Sequence, residues 1–436
     1  MPPSTTGATA QGSFATKATS KDPYRYQVGF GNRFASEALP GALPHAQNNP
    51  QKNRYDLYSE EMTGSPFIAP RGENLQAWLY RIRPSVAHQG FTRLPDNPDI
   101  ESCFLPLNPK VHISPTQLAW YPFKLPTDTE KVDWVEGLKT VGGNGDPTLR
   151  EGLAIHMYLA NTSMDKRAFC NGDGDMLICP QQGRLDIQTE FGKLMIRPGE
   201  LCVIQRGMKF KVILPDGPSR GYILEIFGAH FILPDLGPLG GNGLANPRDF
   251  ESPTACFEID QSPWEIVYKV AGELHASHQE HTPFDVVAWS GNYVPYKYDM
   301  EKFVYVGSIS RDHIDPSIFC VLTAKSKQTG IPLAELLIFG ERLGHSIEKV
   351  WSAVIDMLSY LSLQHLMDQF LDCIWITEFS PWKEDVNVLC ILGSELDRAL
   401  ALDDCIVMAT DTSVGYDKAY QAILAAWVWA EGMLVW

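Results

Sequence analysis

The feature that most constrains the fold is a run of short apolar segments between residues 171 and 214, "NGDGDMLICPQQGRLDIQTEFGKLMIRPGELCVIQRGMKFKVIL". Turns that carry glycine or proline separate the segments every few residues, as they do between antiparallel strands. The predicted strands are Met176–Cys179, Arg184–Thr189, Leu194–Ile196, Leu201–Ile204 and Lys209–Leu214. This spacing predicts a mainly β chain, with an antiparallel meander inside a β-sandwich or jelly roll.

The overall composition narrows the classes of protein to which the chain can belong. Its net charge of −16 over 436 residues argues against nucleic acid as a partner, because binding to phosphates relies on Lys and Arg. No apolar run approaches the roughly 18 residues that a membrane helix needs, so we expect no membrane partner. The nine cysteines are scattered and include no C-x-x-C pair, which favours reduced thiols in the cytoplasm over disulfides or a zinc site.

Both ends of the chain differ in composition from its middle. The first 20 residues contain 8 Ser or Thr and no apolar core, which predicts a disordered arm at 1–23 rather than a secretory signal. Residues 343–436 hold one of the 31 prolines, 6 of the 11 tryptophans and a net charge of −10, from 4 basic and 14 acidic residues. Their apolar residues recur at helical spacing, as between Ile347 and Leu361 and between Tyr420 and Trp427. We therefore predict a helix-prone C-terminal tail.

The stretch "DVVAWSGNYVPYKYD" (Asp285–Asp299) has the pattern of a buried strand followed by an aromatic loop that carries a lysine. Such loops often line a substrate pocket, so Trp289, Tyr296 and Lys297 are the candidate pocket residues. The only side chain at the centre that could act chemically is Ser290. A serine nucleophile needs a neighbouring base, and the sequence indicates none.

Long stretches of the chain carry a family resemblance, among them "YQVGFGNRFASEALPGALPHAQNNPQ", "TEFGKLMIRPGELCVIQRGMKF" and "FDVVAWSGNYVPYKY". Across residues 24–342 the sequence resembles the homogentisate 1,2-dioxygenases, non-haem iron enzymes of tyrosine and phenylalanine catabolism. The resemblance implies Fe(II)- and O2-dependent ring opening of a small aromatic acid, homogentisate, to maleylacetoacetate. It also implies a trimeric or hexameric homo-oligomer, an N-terminal β domain at 24–285 and the start of a cupin-like catalytic domain at 286–342. The tail at 343–436 is unmatched.

The chain departs from the family pattern at the residues that carry its chemistry. The family strand has W-H-G-N, in which the histidine is the acid/base group, whereas this chain has Ser290. A serine hydroxyl has no pKa near 7 and cannot replace an imidazole in proton transfer. The family's Fe(II) ligands, two His and one Glu, lie in R-P-P-Y-Y-H-R-N…S-E-F-M-G-L-I and P-H-G-P stretches, and neither occurs after Arg342. The metal ligands are therefore unknown, and we expect Fe(II) to lack its family ligands here.

The histidines elsewhere do not form an alternative metal motif. His275, His278 and His281 in "HASHQEH" would drift around a helix or alternate on a strand, so we predict surface residues. Five others, His45, His88, His112, His156 and His230, have no carboxylate at ligand spacing, and we predict a packing role for each. His313 is predicted to be a hydrogen-bonded structural residue. His345 and His365 in the tail match neither iron motif.

Two interpretations of the tail stay open. Codons that encode Leu343–Lys349 can be chosen so that reading them one base later gives Trp-Asp-Ile-Ala-Ser-Lys, which the family would place after Arg342. Codons for Leu363–Gln369, read two bases later, can give Pro-Ala-Pro-His-Gly-Pro, which is close to the family's P-H-G-P motif. The tail is then an out-of-frame or mis-spliced product, and the alternative is a divergent helical ending. Functionally, we expect a homogentisate dioxygenase that is catalytically impaired, with a non-catalytic pseudoenzyme or assembly subunit as the alternative.

Overall fold

The computed structural model describes residues 22–44, 53–113, 123–127, 129–237, 244–303, 319–327, 332–339, 372–379, 386–393 and 400–401. The first ten strands are β1 (Tyr26–Val28), β2 (Phe34–Glu37), β3 (Tyr58–Thr63), β4 (Gln76–Arg81), β5 (Thr92–Arg93), β6 (His112–Ile113), β7 (Leu138–Asp146), β8 (Glu151–Ala160), β9 (Arg167–Asn171) and β10 (Gly174–Gln182). The next ten are β11 (Leu185–Thr189), β12 (Gly192–Ile196), β13 (Glu200–Ile204), β14 (Lys209–Ile213), β15 (Ser219–Phe227), β16 (Phe250–Pro253), β17 (Trp264–Val270), β18 (Glu273–Gln279), β19 (Val286–Gly291) and β20 (Tyr296–Asp299). The last are β21 (Cys320–Lys325), β22 (Pro332–Phe339), β23 (Asp372–Phe379), β24 (Val386–Gly393) and β25 (Leu400–Ala401). Short 3-10 helices lie at Pro147–Leu149, Pro247–Asp249 and Met300–Lys302.

These strands form two large sheets and three smaller ones. The largest has eight strands in the order β1-β16-β20-β13-β10-β15-β8-β7, and the next has seven in the order β12-β11-β14-β9-β17-β18-β5. The smaller sheets have the orders β2-β19-β4-β3, β21-β22-β24-β23 and β25-β6. Within the described ranges, β9 and β17 are the one parallel pair. The predicted mainly β fold, an antiparallel sandwich similar to a cupin jelly roll, is confirmed.

The eight-stranded sheet is apolar on both faces because another layer packs against each. In β10, Met176 and Ile178 join a core cluster with residues of β11, β12 and β14. Leu177 and Cys179, which alternate with them, join a second cluster with residues of β21 and β22. Successive side chains point to opposite faces of a strand, so a strand that is covered on both sides is apolar throughout.

The five strands predicted between residues 171 and 214 are present as β10 to β14, but the predicted meander is wrong. Strands β10 and β13 belong to the eight-stranded sheet, whereas β11, β12 and β14 belong to the seven-stranded sheet. The pairing of β10 with β15 shifts between Pro180 and Gln182, and Gly183 follows with φ +76°. β10 ends at this irregularity, and the glycine that follows tolerates the positive φ. The chain then enters the other sheet. Turn residues therefore mark where a strand ends, but not which sheet the next strand joins.

The tail that we predicted to be helix-prone consists of strands where it is described. β24 pairs with β22 on one side and with β23 on the other. Their sequences, "VNVLCILG" and "DCIWITEF", are rich in β-branched and apolar residues, which favour strands. The helical periodicities at 347–361 and 420–427 lie outside the described residues.

The stretch assigned to the start of a catalytic domain begins with strands that pair within the preceding region. β19 lies between β2 and β4, and β20 lies between β13 and β16. The boundary between residues 285 and 286 stays a prediction. The described cysteines form no disulfide. In the described part of the chain, no helix has the length and apolar character needed to cross a membrane.

Core packing predicts that two phenylalanines contribute very differently to the free energy of unfolding. The buried Phe210 ring lies 5.1 Å from the Trp134 ring and 5.6 Å from the Phe169 ring, whereas Phe67 is 78% exposed. We expect Phe210→Ala to lower the free energy of unfolding by about 3–5 kcal/mol because it leaves a cavity. The matched Phe67→Ala should cost less than about 0.5 kcal/mol. Urea unfolding measures both, and equal losses would contradict this core.

Candidate functional site

Ser290 and Trp289 point to opposite faces of β19. Trp289 is fully buried, its ring lies 5.3 Å from the Phe191 ring, and its Nε1–H donates to the Phe191 carbonyl at 2.7 Å. Ser290 is partly exposed and lies opposite Ala35 of β2 and Trp78 of β4. The indole of Trp289 is thus held by the core, whereas Ser290 is partly buried on the other side of the strand.

The loop between β19 and β20 is fixed by hydrogen bonds to the start of β4. Gly291 has φ +146°, and a Cβ there would lie 2.2 Å from the Gln76 carbonyl oxygen, so only glycine fits. Asn292 accepts from the Gln76 amide at 3.0 Å and donates to the Asn74 carbonyl at 2.9 Å. The Tyr293 hydroxyl donates to the Arg206 carbonyl at 2.9 Å. The aromatic loop is therefore a closely packed corner.

On β20, Tyr296 faces the cluster shared with β21 and β22. Its ring makes edge contacts with Phe30 at 5.1 Å and Phe250 at 5.8 Å. Its buried hydroxyl has no hydrogen-bond partner among the described residues. Burial, with a smaller contribution from Asp175, raises the pKa of Tyr296 well above its ordinary value. The phenol therefore stays protonated and can act only as a neutral donor or acceptor.

Lys297 projects to the opposite face of β20 and is surrounded by acidic groups. Its Nζ lies 3.0 Å from Asp22 Oδ2 and 3.5 Å from Glu200 Oε1, and it donates to the Met195 carbonyl at 3.0 Å. It also lies 4.5 Å from the centroid of the Tyr26 ring. These partners fix the ammonium in place as a buried structural cation.

The four candidate residues do not converge on one cavity. Trp289 belongs to the core cluster that includes Tyr26, Tyr296 belongs to the other large cluster, and Ser290 lies partly exposed on the face of β19 opposite to Trp289. Of the three pocket candidates, Trp289 and Lys297 approach the same core, because Lys297 contacts Tyr26. Their role in a substrate pocket stays a prediction.

The structure also contains a buried charged cluster that the sequence analysis did not identify. Lys269 Nζ lies 2.8 Å from Asp173 Oδ2 and 2.9 Å from Glu225 Oε2. His156 donates through Nε2 to Glu225 Oε2 at 2.9 Å, and its Nδ1 lies 2.9 Å from the Thr140 hydroxyl. We refer to Lys269, Asp173, Glu225, His156 and Thr140 as the buried cluster. It connects β17 of the seven-stranded sheet to β7, β8 and β15 of the eight-stranded sheet.

The protonation states in the buried cluster follow from burial and from its two carboxylates. Burial lowers the pKa of His156 and outweighs Glu225, so the ring is neutral. The neutral ring carries its proton on Nε2, facing Glu225, and its Nδ1 accepts from Thr140. Burial opposes ionisation of Glu225, but Lys269 and His156 outweigh it and lower the pKa of this carboxyl. For Lys269, burial is likewise outweighed by Glu225 and Asp173, and its pKa is raised.

A second set of buried charges holds the beginning of β19. Arg81 on β4 donates to Asp285 Oδ1 at 2.9 Å and to Glu190 Oε1 at 2.9 Å. Lys209 on β14 also donates to Glu190, at 3.1 Å. Burial raises the pKa of Glu190, but Lys209 and Arg81 outweigh it and the net pKa is lowered. The beginning of the strand that carries Ser290 is thus anchored to the seven-stranded sheet by paired charges.

Two histidines predicted to have only a packing role have carboxylate partners in the structure. His156 contacts Glu225, 69 positions away, and His230 contacts Asp175, 55 positions away. No local spacing marks such pairs, because strand pairing brings the partners together. His275 and His278 lie on β18, and their separation of three places them on opposite faces, as expected for a strand. His45, His313, His345 and His365 lie outside the described residues.

The described side chains do not form the set of ligands that the family's iron requires. Among them, no three His, Cys, Asp or Glu residues are arranged to hold a metal ion. Both ring nitrogens of His156 and of His230 already have hydrogen-bond partners. Two histidines and a carboxylate with open coordination positions would be required.

Comparisons with sequence-family models and with individual proteins indicate the same family. The sequence models "Homogentisate 1,2-dioxygenase N-terminal" and "Homogentisate 1,2-dioxygenase C-terminal" match residues 25–300 and 301–350. The homogentisate 1,2-dioxygenase of Emericella nidulans is 50% identical over 331 residues, which cover 75% of this chain and 72% of that protein. The Homo sapiens protein of the same name is 50% identical over 325 residues, covering 73% and 72%. A cupin-2 domain protein of Shewanella frigidimarina aligns over 17% of this chain and 70% of its own, with 18% identity and a TM-score of 0.16.

The buried cluster predicts a strong dependence of stability on Lys269. We expect Lys269→Met to lower the free energy of unfolding by about 3–5 kcal/mol, because Asp173 and Glu225 lose their buried counter-ion. The loss should shrink as the pH falls, since the Glu225 carboxylate, whose pKa Lys269 lowers, then becomes protonated. Lys327→Met, which removes an exposed pair with Glu151, is the matched control and should cost at most about 1 kcal/mol. Unfolding curves across pH measure both, and a pH-independent loss would contradict the ionised cluster.

Proposed function

The chain belongs to the homogentisate 1,2-dioxygenase family, and we propose that it keeps the family's β scaffold but has impaired ring-opening chemistry. The reaction implied by the family is Fe(II)- and O2-dependent cleavage of homogentisate to maleylacetoacetate, in tyrosine and phenylalanine catabolism. The observation that carries the proposal is Ser290, which stands where the family has its acid/base histidine. The described side chains offer no binding site for the iron that this reaction requires.

The surroundings of Ser290 do not compensate for the missing imidazole. The residues directly opposite it, Ala35 and Trp78, have no group that accepts a proton near neutral pH. The Ser290 hydroxyl therefore has no base at these positions and can act only as a hydrogen-bond partner or hold a water molecule. Loss of a positioned acid/base group costs about 10² to 10⁴ in rate.

An assembly role is the alternative that keeps the scaffold without the reaction. The ionic contacts of Lys269 with Glu225 and of Arg81 with Glu190 connect different sheets without needing a substrate or a metal. Phe67 is 78% and Ile68 is 94% exposed in the loop between β3 and β4, which supports contact with another subunit. We propose a cytoplasmic homo-oligomer, a trimer or hexamer, that binds a small aromatic acid. A monomer in analytical ultracentrifugation would contradict this assembly.

The catalytic proposal is tested with the natural chain and three variants. The first carries Ser290→His, the second replaces the residues after Arg342 with those of the Emericella nidulans relative, and the third combines both changes. We expect ring opening only in the third, or at least 10²-fold faster there than in the second, because the base and the family's C-terminal motifs are both required. O2 consumption and product absorbance are followed with homogentisate and ferrous iron.

Each other result has a defined meaning. Activity in the natural chain would contradict impairment. Activity with Ser290→His alone would mean that residues of this chain hold iron without the family's motifs. Full activity with the exchanged C-terminus alone would mean that Ser290, or a water molecule that it holds, performs the proton step.

A further inference from the structure

His230 lies just after β15 and has acceptors at both ring nitrogens. Nδ1 lies 2.8 Å from the carboxylate oxygen Oδ2 of Asp175, and Nε2 lies 2.8 Å from the carbonyl oxygen of Gly64. A backbone carbonyl can only accept, and an ionised carboxylate can only accept as well. A neutral imidazole has one N–H, so it can satisfy only one of these contacts. The imidazolium has two and satisfies both.

We propose that His230 is a proton-dependent clamp: in its protonated form it ties Asp175 of β10 to Gly64 of the loop after β3, and loss of the proton opens one of the two contacts. The inference does not depend on the catalytic proposal, since it concerns a joint of the scaffold. We refer to His230, Asp175 and Gly64 as the His230 clamp.

The His230 clamp lies beside the loop that follows Ser290. The His230 ring contacts the Tyr293 ring at 5.4 Å in an edge arrangement. Gly64 approaches the same ring so closely that a Cβ there would lie 2.4 Å from it. Opening of the contact to Gly64 therefore loosens the packing on Tyr293.

The clamp also lies where three sheets meet. Asp175 is in the eight-stranded sheet, Gly64 follows an edge strand of the sheet that contains β19, and Ile232, two residues after His230, forms a bridge with Thr323 of β21. A single proton thus affects the connection between these layers.

The groups around His230 act on its protonation in opposite directions. Burial and the positive charge of Arg206 oppose the protonated form, but Asp175 and the hydrogen bond to Gly64 outweigh them. The phenol of Tyr293 is the other titratable group nearby. The net result is a raised pKa for His230. Because the folded-state pKa is the higher one, the stabilisation is complete below about pH 6.5 and is lost as the pH rises through the folded-state value.

The Asp175→Asn variant should keep both hydrogen bonds of His230 even when the imidazole is neutral. The asparagine Oδ1 can still accept from the Arg206 amide, which now donates to Asp175 at 2.9 Å. Its Nδ2 can donate to an unprotonated Nδ1, which leaves Nε2–H for Gly64. A neutral His230 then satisfies every contact, so this variant should keep the clamp closed at high pH. His230→Gln has one donor group and one acceptor oxygen, so it should leave the clamp open at every pH.

The experiment measures amide hydrogen exchange at Gly64 and Tyr293 in the full chain across pH, corrected for intrinsic base catalysis, together with NMR titration of His230. In the natural chain we expect protection to be lost as His230 deprotonates, with a midpoint above that of free imidazole. In Asp175→Asn we expect a lower midpoint and no loss of protection at high pH. His230→Gln should have low protection throughout, and His278→Gln, which replaces an exposed side chain of β18, should behave like the natural chain. Protection that does not follow the His230 titration, or an unchanged midpoint in Asp175→Asn, would overturn the proposal.

Discussion

A charge that is removed from water must be paired with another charge or with several hydrogen bonds, and the layered architecture here depends on that requirement. The buried cluster around Lys269 joins the seven-stranded sheet to the eight-stranded sheet. Arg81 joins β4 to Asp285 and to Glu190, and Lys297 joins β20 to Asp22 and Glu200. The apolar cores lie between the layers, and the ion pairs of Lys269 with Glu225 and of Arg81 with Glu190 connect strands of different sheets.

The same requirement determines which side chains remain available for chemistry. His156 and His230 are engaged at both ring nitrogens, and Asp173, Glu190 and Glu225 each have cationic partners. Such groups stabilise the scaffold. The family resemblance therefore supports a shared fold more directly than it supports a shared reaction, and Ser290 is the position at which we propose that the two separate.

Strand locations were predictable because turns and apolar runs are local signals. The segments from Met176 to Leu214 appear as β10 to β14 with small changes at their ends. Their distribution over two sheets was not predictable, because it depends on a break beside Pro180 and on pairing with β15, about 40 residues later. For the candidate site, the buried strand that carries Trp289 was predicted, whereas Lys297 was assigned to a loop and lies on β20. Their partners Phe191 and Asp22 are distant in sequence. In the tail, helical periodicity gave no indication of β23 and β24, where strand propensity and pairing with β22 prevail.

We propose that this chain has the family's scaffold without the family's iron site. The most direct measurement is Fe(II) binding by the natural chain, with anaerobic loading, gel filtration, metal quantification and electron paramagnetic resonance of the nitric oxide adduct. The account predicts no stoichiometric protein-bound iron and no change in the spectrum when homogentisate is added. About one iron per chain, with a nitrosyl spectrum that changes on addition of homogentisate, would contradict it.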